Sequence, residues 1–163
     1  KGRLAGVSAE SLQAELQQLG ITSATVSCSP LQDFIEIYPG ETCVSVLPSH
    51  RQGYVVGLDL ASGLAVRALL AEQSLGPGAS EVRASDLSRR CDVLDLCCAP
   101  GGKALYLAEL LTSGSVTGVD SCEKRLAQCA GAVRRHGLGN IRLLRADATQ
   151  GVPLPPKAAG WAV

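Results

Sequence analysis

Val93-Leu94-Asp95-Leu96-Cys97-Cys98-Ala99-Pro100-Gly101-Gly102-Lys103 sets a short apolar run directly against a turn with two adjacent glycines, and a helical pattern begins at once behind them. The apolar run has the continuous character of a strand buried on both faces. Two glycines in a row remove the Cβ atoms that would hold another molecule away from the backbone. Working outward, residues 92–96 read as the strand and 103–111 as the helix. Residues 115–119 form a second apolar strand, 122–136 an amphipathic helix ended by Gly137, and 141–145 a third strand. Strand, helix, strand, helix, strand with tight junctions implies an α/β unit with a parallel sheet.

Upstream the pattern is different. Ser8 can cap a helix in which Leu12, Leu16 and Leu19 recur at i, i+4 and i+7, with Gly20 as its stop. Short β-like runs follow at 24–28, 34–38 and 43–47, split by Ser29-Pro30 and Pro39-Gly40, and 53–58 is a fourth candidate strand. Residues 61–72 look helical, with Leu64, Ala65, Ala68 and Leu69 on one face. Residues 76–90 hold Gly-Pro-Gly and no periodicity, the signature of a linker. The expected organisation is a small α+β segment over 1–75, a linker over 76–90 and the parallel-sheet unit over 91–163.

Composition bounds the function. The chain has 163 residues, 15 Lys+Arg against 15 Asp+Glu, and 46% hydrophobic residues. That length buries roughly 70% of the unfolded surface. An ordinary apolar fraction with zero net charge excludes disorder as the main state. No window approaches 18–20 uninterrupted apolar residues, so no membrane-spanning helix is expected, and the N-terminus lacks the apolar core of a signal peptide. A chain that begins at Lys1 and contains no Met reads as a piece of a longer protein. Seven cysteines, an odd number without any C-x-x-C pair and with His50 and His136 far from paired thiols, fit neither a zinc site nor a secreted disulfide framework. They read as reduced intracellular thiols. Neutrality is not uniform, since Lys124, Arg125, Arg134, Arg135, Arg142 and Arg145 face only Glu123 as a nearby acid.

The Gly-rich turn lies where open α/β sheets bind ligands, at the carboxyl edge of a strand and the start of a helix. A phosphate-binding P-loop needs G-x-x-x-x-G-K-[ST], but here Cys97 and Ala104 occupy the first Gly and the hydroxyl positions. A dinucleotide fingerprint G-x-G-x-x-G is absent. A nucleoside without a phosphate chain remains. Asp120 closes the second strand, 18 residues after Gly102, where an acid can accept from ribose hydroxyls. Asp147 closes the third, where a carboxylate can accept from an adenine amino group. Two such carboxylates suit an adenosine carrying a cationic group, such as S-adenosylmethionine, and would repel a pyrophosphate.

The run from Asp95 to Lys103 closely resembles motif I of the RNA cytosine-5 methyltransferases (RsmB/NOL1/NOP2/Sun), usually written D-L-C-A-A-P-G-G-K-T, with Cys98 for Ala and Ala104 for Thr as departures. The likeness continues through Val119-Asp120, Lys124-Arg125-Leu126, Arg134-Arg135-His136-Gly137 and Ala146-Asp147-Ala148, about residues 91–149. Residues 54–69 resemble the segment leading into motif I, and 1–21 more weakly resemble an RNA-binding segment. The resemblance implies a Rossmann-like methyltransferase sheet, incomplete in this chain, with S-adenosylmethionine as cofactor and transfer or ribosomal RNA as substrate. It implies that Cys97, Cys98, Ala99, Pro100, Gly101, Gly102 and Lys103 surround the methionine moiety, that Asp120 binds the ribose and Asp147 the adenine, and that Arg125 stands near the cofactor. It also implies that the motif I cysteine packs beneath the loop and is not the nucleophile. The family attacks cytosine C6 with a cysteine, methylates C5 and then eliminates; its cysteines follow Asp-Ala-Pro and Thr in later motifs that this sequence does not contain. No catalytic residue and no metal ligand are therefore expected here, and the fragment by itself is expected to be inactive. The alternatives are a Rossmann methyltransferase acting on another substrate and a non-catalytic RNA-binding relative.

Overall fold

Ser8 caps the first helix, α1 (Ala9–Gln18): its hydroxyl accepts from the Ser11 amide at 3.2 Å, while the Ser11 hydroxyl accepts from the Ser8 amide at 3.1 Å. This reciprocal cap satisfies amides that a helix start otherwise leaves bare. Leu12 and Leu16 are buried from one face, whereas Leu19, at the end of the helix, is half-exposed. Gly20 ends the helix with φ +76°. The structure is a computed structural model that describes residues 7–29, 33–40, 42–74, 91–111, 113–153 and 161–162. The linker expected at 76–90 lies outside the described residues.

Two compact units are present, Lys1–Gly57 and Leu58–Val163. In the first, β1 (Thr25–Cys28) pairs antiparallel with β2 (Ile35–Tyr38). The Gln13 side chain laces α1 to β1, donating to the Ala24 carbonyl at 3.0 Å and accepting from the Val26 amide at 2.9 Å. The strands expected at 43–47 and 53–58 do not form. A 3-10 turn over Val44–Val46 leads instead into a short helix, α2 (Pro48–Arg51), with Pro in its first turn. Leu47 is fully buried with Leu12, Leu16 and Ala24, and Val44 and Val55 pack against that cluster. Their apolar character serves side-chain burial, which needs no strand ladder. Ser49 then ties α2 to α1, its amide and hydroxyl both donating to the Glu15 carboxylate at 3.1 and 2.9 Å.

The second unit starts with α3 (Leu60–Ser74), so the division precedes this helix, where a boundary drawn at the linker would follow it. The buried face also differs from expectation. Val66, Leu70 and Gly63 are buried, while Leu64 is 49% exposed and Ala65 and Ala68 are exposed. Apolar residues surround almost the whole helix, and its partner selects the face. Arg67 Nε donates to the Tyr106 hydroxyl at 2.7 Å, and the guanidinium lies 5.8 Å from the centre of that ring.

The sheet contains β3 (Asp92–Asp95), β4 (Ser115–Asp120), β5 (Ile141–Arg145) and β6 (Trp161–Ala162), all parallel in the order β5-β4-β3-β6. Helices α4 (Gly102–Leu110) and α5 (Glu123–His136) are the crossovers. Ala104 to Ala108 are buried without interruption, because α4 packs on the sheet and on α3. Asn140 Nδ2 closes the end of α4, donating to the Ala108 and Leu111 carbonyls at 2.9 and 3.0 Å. Gly114 passes so close to the Cys91 carbonyl that a Cβ would overlap it. Gly118, opposite Asp95 in the register, would carry a Cβ 2.8 Å from Cys98 Sγ and 3.0 Å from Leu143 Cδ2. Gly118→Ala should therefore overpack this layer and destabilise the protein by about 1–3 kcal/mol. Urea unfolding should show a lower midpoint at unchanged slope; an unchanged midpoint would show that the layer has room to spare.

Candidate cofactor-binding site

The turn between β3 and α4 is fastened by two backbone amides. Cys97 N–H donates to Asp95 Oδ1 at 3.2 Å, and Cys98 N–H donates to the Val119 carbonyl at 3.0 Å. Cys97 thereby faces solvent and Cys98 is buried. This corrects one expectation, since the thiol beneath the turn belongs to Cys98 and not to the motif I cysteine, Cys97. Ala99 and Gly101 are buried, Gly102 is half-buried, and Pro100 and Lys103 are exposed. Gly101 has φ +120°, a conformation that side chains disfavour, and a Cβ there would lie 3.0 Å from Cys129 Sγ. It is also the N-cap of α4, where no side chain caps the helix amides.

Beneath the turn the Cys98 thiol meets that of Cys129, which is fully buried on α5. The bond between the two thiols and burial together push the Cys98 thiol far up, so that it stays protonated. All seven cysteines are free thiols.

Asp120 ends β4 with only 2% exposure. Its Oδ1 accepts from the Cys122 amide at 2.9 Å and from the Arg125 guanidinium at 3.0 Å. The Cys122 amide does most to hold this carboxyl below the usual range; burial opposes it, and the Arg125 charge adds to the lowering. Asp120 Oδ2 is buried and accepts no hydrogen bond among the described residues. Arg125 itself is half-exposed and serves to hold Asp120.

Sequence reasoning missed Asp95 as a site residue. It ends β3 as Asp120 ends β4, and its Oδ2 is likewise buried without a partner. Burial raises its pKa against the pull of the Cys97 amide and of Lys103, and the Asp120 charge raises it further. The strand-end position that drew attention to Asp120 was available for Asp95 as well.

Asp147 stands apart from this group. It is exposed and caps the 3-10 turn Ala148–Gln150, with Oδ1 accepting from the Thr149 amide at 2.9 Å and hydroxyl at 2.7 Å. The turn, Asp95, Asp120 and Arg125 form one constellation, and no hydrogen bond joins Asp147 to it among the described residues. Nor is there a group of three or more His, Cys, Asp or Glu side chains among them able to hold a metal ion. No helix of the described residues is long and apolar enough to cross a membrane.

A glycine turn behind the first strand of a parallel sheet, with acids ending that strand and the next, is the ligand-binding edge of a Rossmann-like α/β fold. Residues 85–156 match the model of the family "16S rRNA methyltransferase RsmB/F". A "28S rRNA (cytosine-C(5))-methyltransferase" of Mus musculus is 32% identical over 119 residues, covering 72% of this chain and 22% of the relative. "Ribosomal RNA small subunit methyltransferase B" of Pseudomonas syringae pv. tomato is 35% identical over 126 residues, covering 76% of this chain and 24% of the relative. Among solved structures, NSun6 from Pyrococcus horikoshii with SFG aligns at TM-score 0.51 and 26% identity, over 66% of this chain and 24% of that one. The chain thus spans about a quarter or less of the length of each.

The two acids titrate in opposite senses. Asp120, held low, contributes stability that is full above the unfolded pKa of about 3.9 and is lost as pH falls through its lower folded value. Asp95, held high, costs stability once it ionises. Asp120→Asn should melt below the parent at about pH 7, with the gap closing as pH falls through the lowered folded pKa of Asp120, whereas Asp95→Asn should melt at or above the parent at neutral pH. A gap for Asp120→Asn that persists unchanged in acid would trace the loss to packing rather than charge.

Proposed function

We propose that this chain supplies the cofactor-binding part of an S-adenosylmethionine-dependent RNA (cytosine-5) methyltransferase, with ribosomal RNA as the favoured substrate over transfer RNA. The match of residues 85–156 to the family model supports the reaction, and the rRNA names of the two relatives that match most of the chain support the substrate. The single observation that carries the cofactor assignment is Asp120 Oδ2, a buried carboxylate oxygen without a partner among the described residues, beside the turn that the Cys98 amide fastens to the end of β4. Such an oxygen fits a ligand hydroxyl donor.

On this reading Asp120 accepts from the ribose, and Arg125 and the Cys122 amide hold it ionised and in place. The turn from Cys97 to Lys103 surrounds the methionine moiety, contributing backbone amides and the uncapped start of α4. Asp147 is proposed as the adenine contact, through Oδ2, since Oδ1 is taken by Thr149. When bound, S-adenosylmethionine supplies a methyl group on a sulfonium, whose positive charge suits the field of Asp95 and Asp120. Cys98 and Cys129 have no catalytic part, because both are buried beneath the turn, where a substrate base cannot reach them. Cys97 is assigned to the cofactor loop. The nucleophilic cysteine of the family is assigned to motifs outside this sequence, and free thiols throughout suit a reducing, intracellular compartment.

Calorimetry with S-adenosylmethionine tests the site. Removing a charged acceptor from a ligand donor costs about 1.5–3 kcal/mol, or about 10- to 100-fold in affinity. Asp120→Ala should show that loss, and equal affinity in parent and variant would overturn the assignment.

A further inference from the structure

We propose that the rim formed by α5 and β5 is a docking surface for the phosphate backbone of RNA, separate from the cofactor turn. The inference rests on the reading of RNA as substrate. Between residues 123 and 147 the sequence places six Lys and Arg against two acids, in a protein whose net charge is zero. The two acids are already engaged: Glu123 accepts from Arg145 at 2.7 Å, and Asp147 caps its own turn. Lys124, Arg134 and Arg142 are exposed, and no ion pair holds them among the described residues.

They follow one rim of the sheet, with Arg145 on the face that α5 covers and Arg142, three residues earlier on β5, on the opposite face. Arg134 and Arg142 flank the short connection from α5 to β5, while Lys124 and Arg145 stand at the other end, where the bond to Glu123 fastens β5 to the first turn of α5. Ten residues of helix separate Lys124 from Arg134, about 15 Å, which spans several consecutive phosphates. Helix stabilisation explains only part of the pattern. Cations in the last turn of α5 complement the helix dipole, but Lys124 sits in the first turn, where a cation is disfavoured, and Arg142 is on a strand. The large exposed hydrophobic side chains, Leu19, Tyr38, Tyr54, Leu60, Leu64 and Leu96, all lie elsewhere. A surface that is basic, rich in arginine and without an apolar anchor fits a polyanion better than an apolar protein partner.

The test compares the full chain with its triple variant Lys124→Ala, Arg134→Ala and Arg142→Ala, using fluorescence anisotropy with a mixed-sequence single-stranded RNA between about 50 and 200 mM KCl. Each lost phosphate contact flattens the log–log salt slope by about 0.7, so the variant should flatten it by about 2 and bind at least about tenfold more weakly at low salt. Its affinity for S-adenosylmethionine should stay that of the parent. The matching triple Lys124→Arg, Arg134→Lys and Arg142→Lys should bind RNA like the parent, which separates charge from folding. Unchanged slope and affinity in a folded alanine variant would overturn the surface alone. Failure of the parent chain to bind RNA at low salt would overturn the RNA reading with it. Competition by polyglutamate equal to that by RNA would also overturn it, in favour of an acidic protein partner.

Discussion

One backbone hydrogen bond, from the Cys98 amide to the Val119 carbonyl at 3.0 Å, joins the turn after β3 to the end of β4. It depends on close approach, which Gly118 permits by carrying no Cβ where Cys98 packs. Gly101 repeats the arrangement one step further on, against Cys129 of α5. The turn is therefore clamped between two glycines and two thiols before any ligand arrives. Preorganisation of this kind lowers the ordering cost of binding. It also explains why both buried cysteines are small fillers here, packed closely against Gly118 and Gly101.

The parallel-sheet unit was readable because its strands have apolar centres, at Val93-Leu94, Val116, Val119 and Leu143-Leu144, and because glycines start α4 and end α5; β3, α4, β4, α5 and β5 all appear within a residue or so of their expected ends. The segment 43–58 was not. Its valines and Leu47 look like strand residues, yet they serve a cluster under α1, and nothing local distinguishes burial in a cluster from burial in a ladder. The face of α3 was hidden for a related reason, since a helix apolar nearly all round takes its orientation from Tyr106, forty residues away in sequence. At the site, residue type and strand end pointed to Asp120, and the family resemblance pointed to Arg125. Which of two adjacent cysteines turns inward depended on a single backbone bond, and the role of Asp95 emerged only from its burial beside Asp120.

Asp120 and Asp95 show how one environment divides two like groups. Both end parallel strands and both keep one oxygen buried and unpartnered. Asp120 has a helix-start amide and a guanidinium to hold its charge, whereas for Asp95 the cost of burial outweighs the Cys97 amide and Lys103, and their pKa values move apart. Arg125 thus acts on the site through Asp120, although half of its side chain is in solvent.

Strand β5 is bonded only to β4 among the described residues, so its outer edge presents unpaired backbone groups, a template on which another strand can add. Arg142 and Arg145 stand along that edge, both exposed. A strand adding there would have to desolvate Arg142, since Arg145 is already paired with Glu123. Arg142 thus places a positive charge beside the edge on which another strand would have to add.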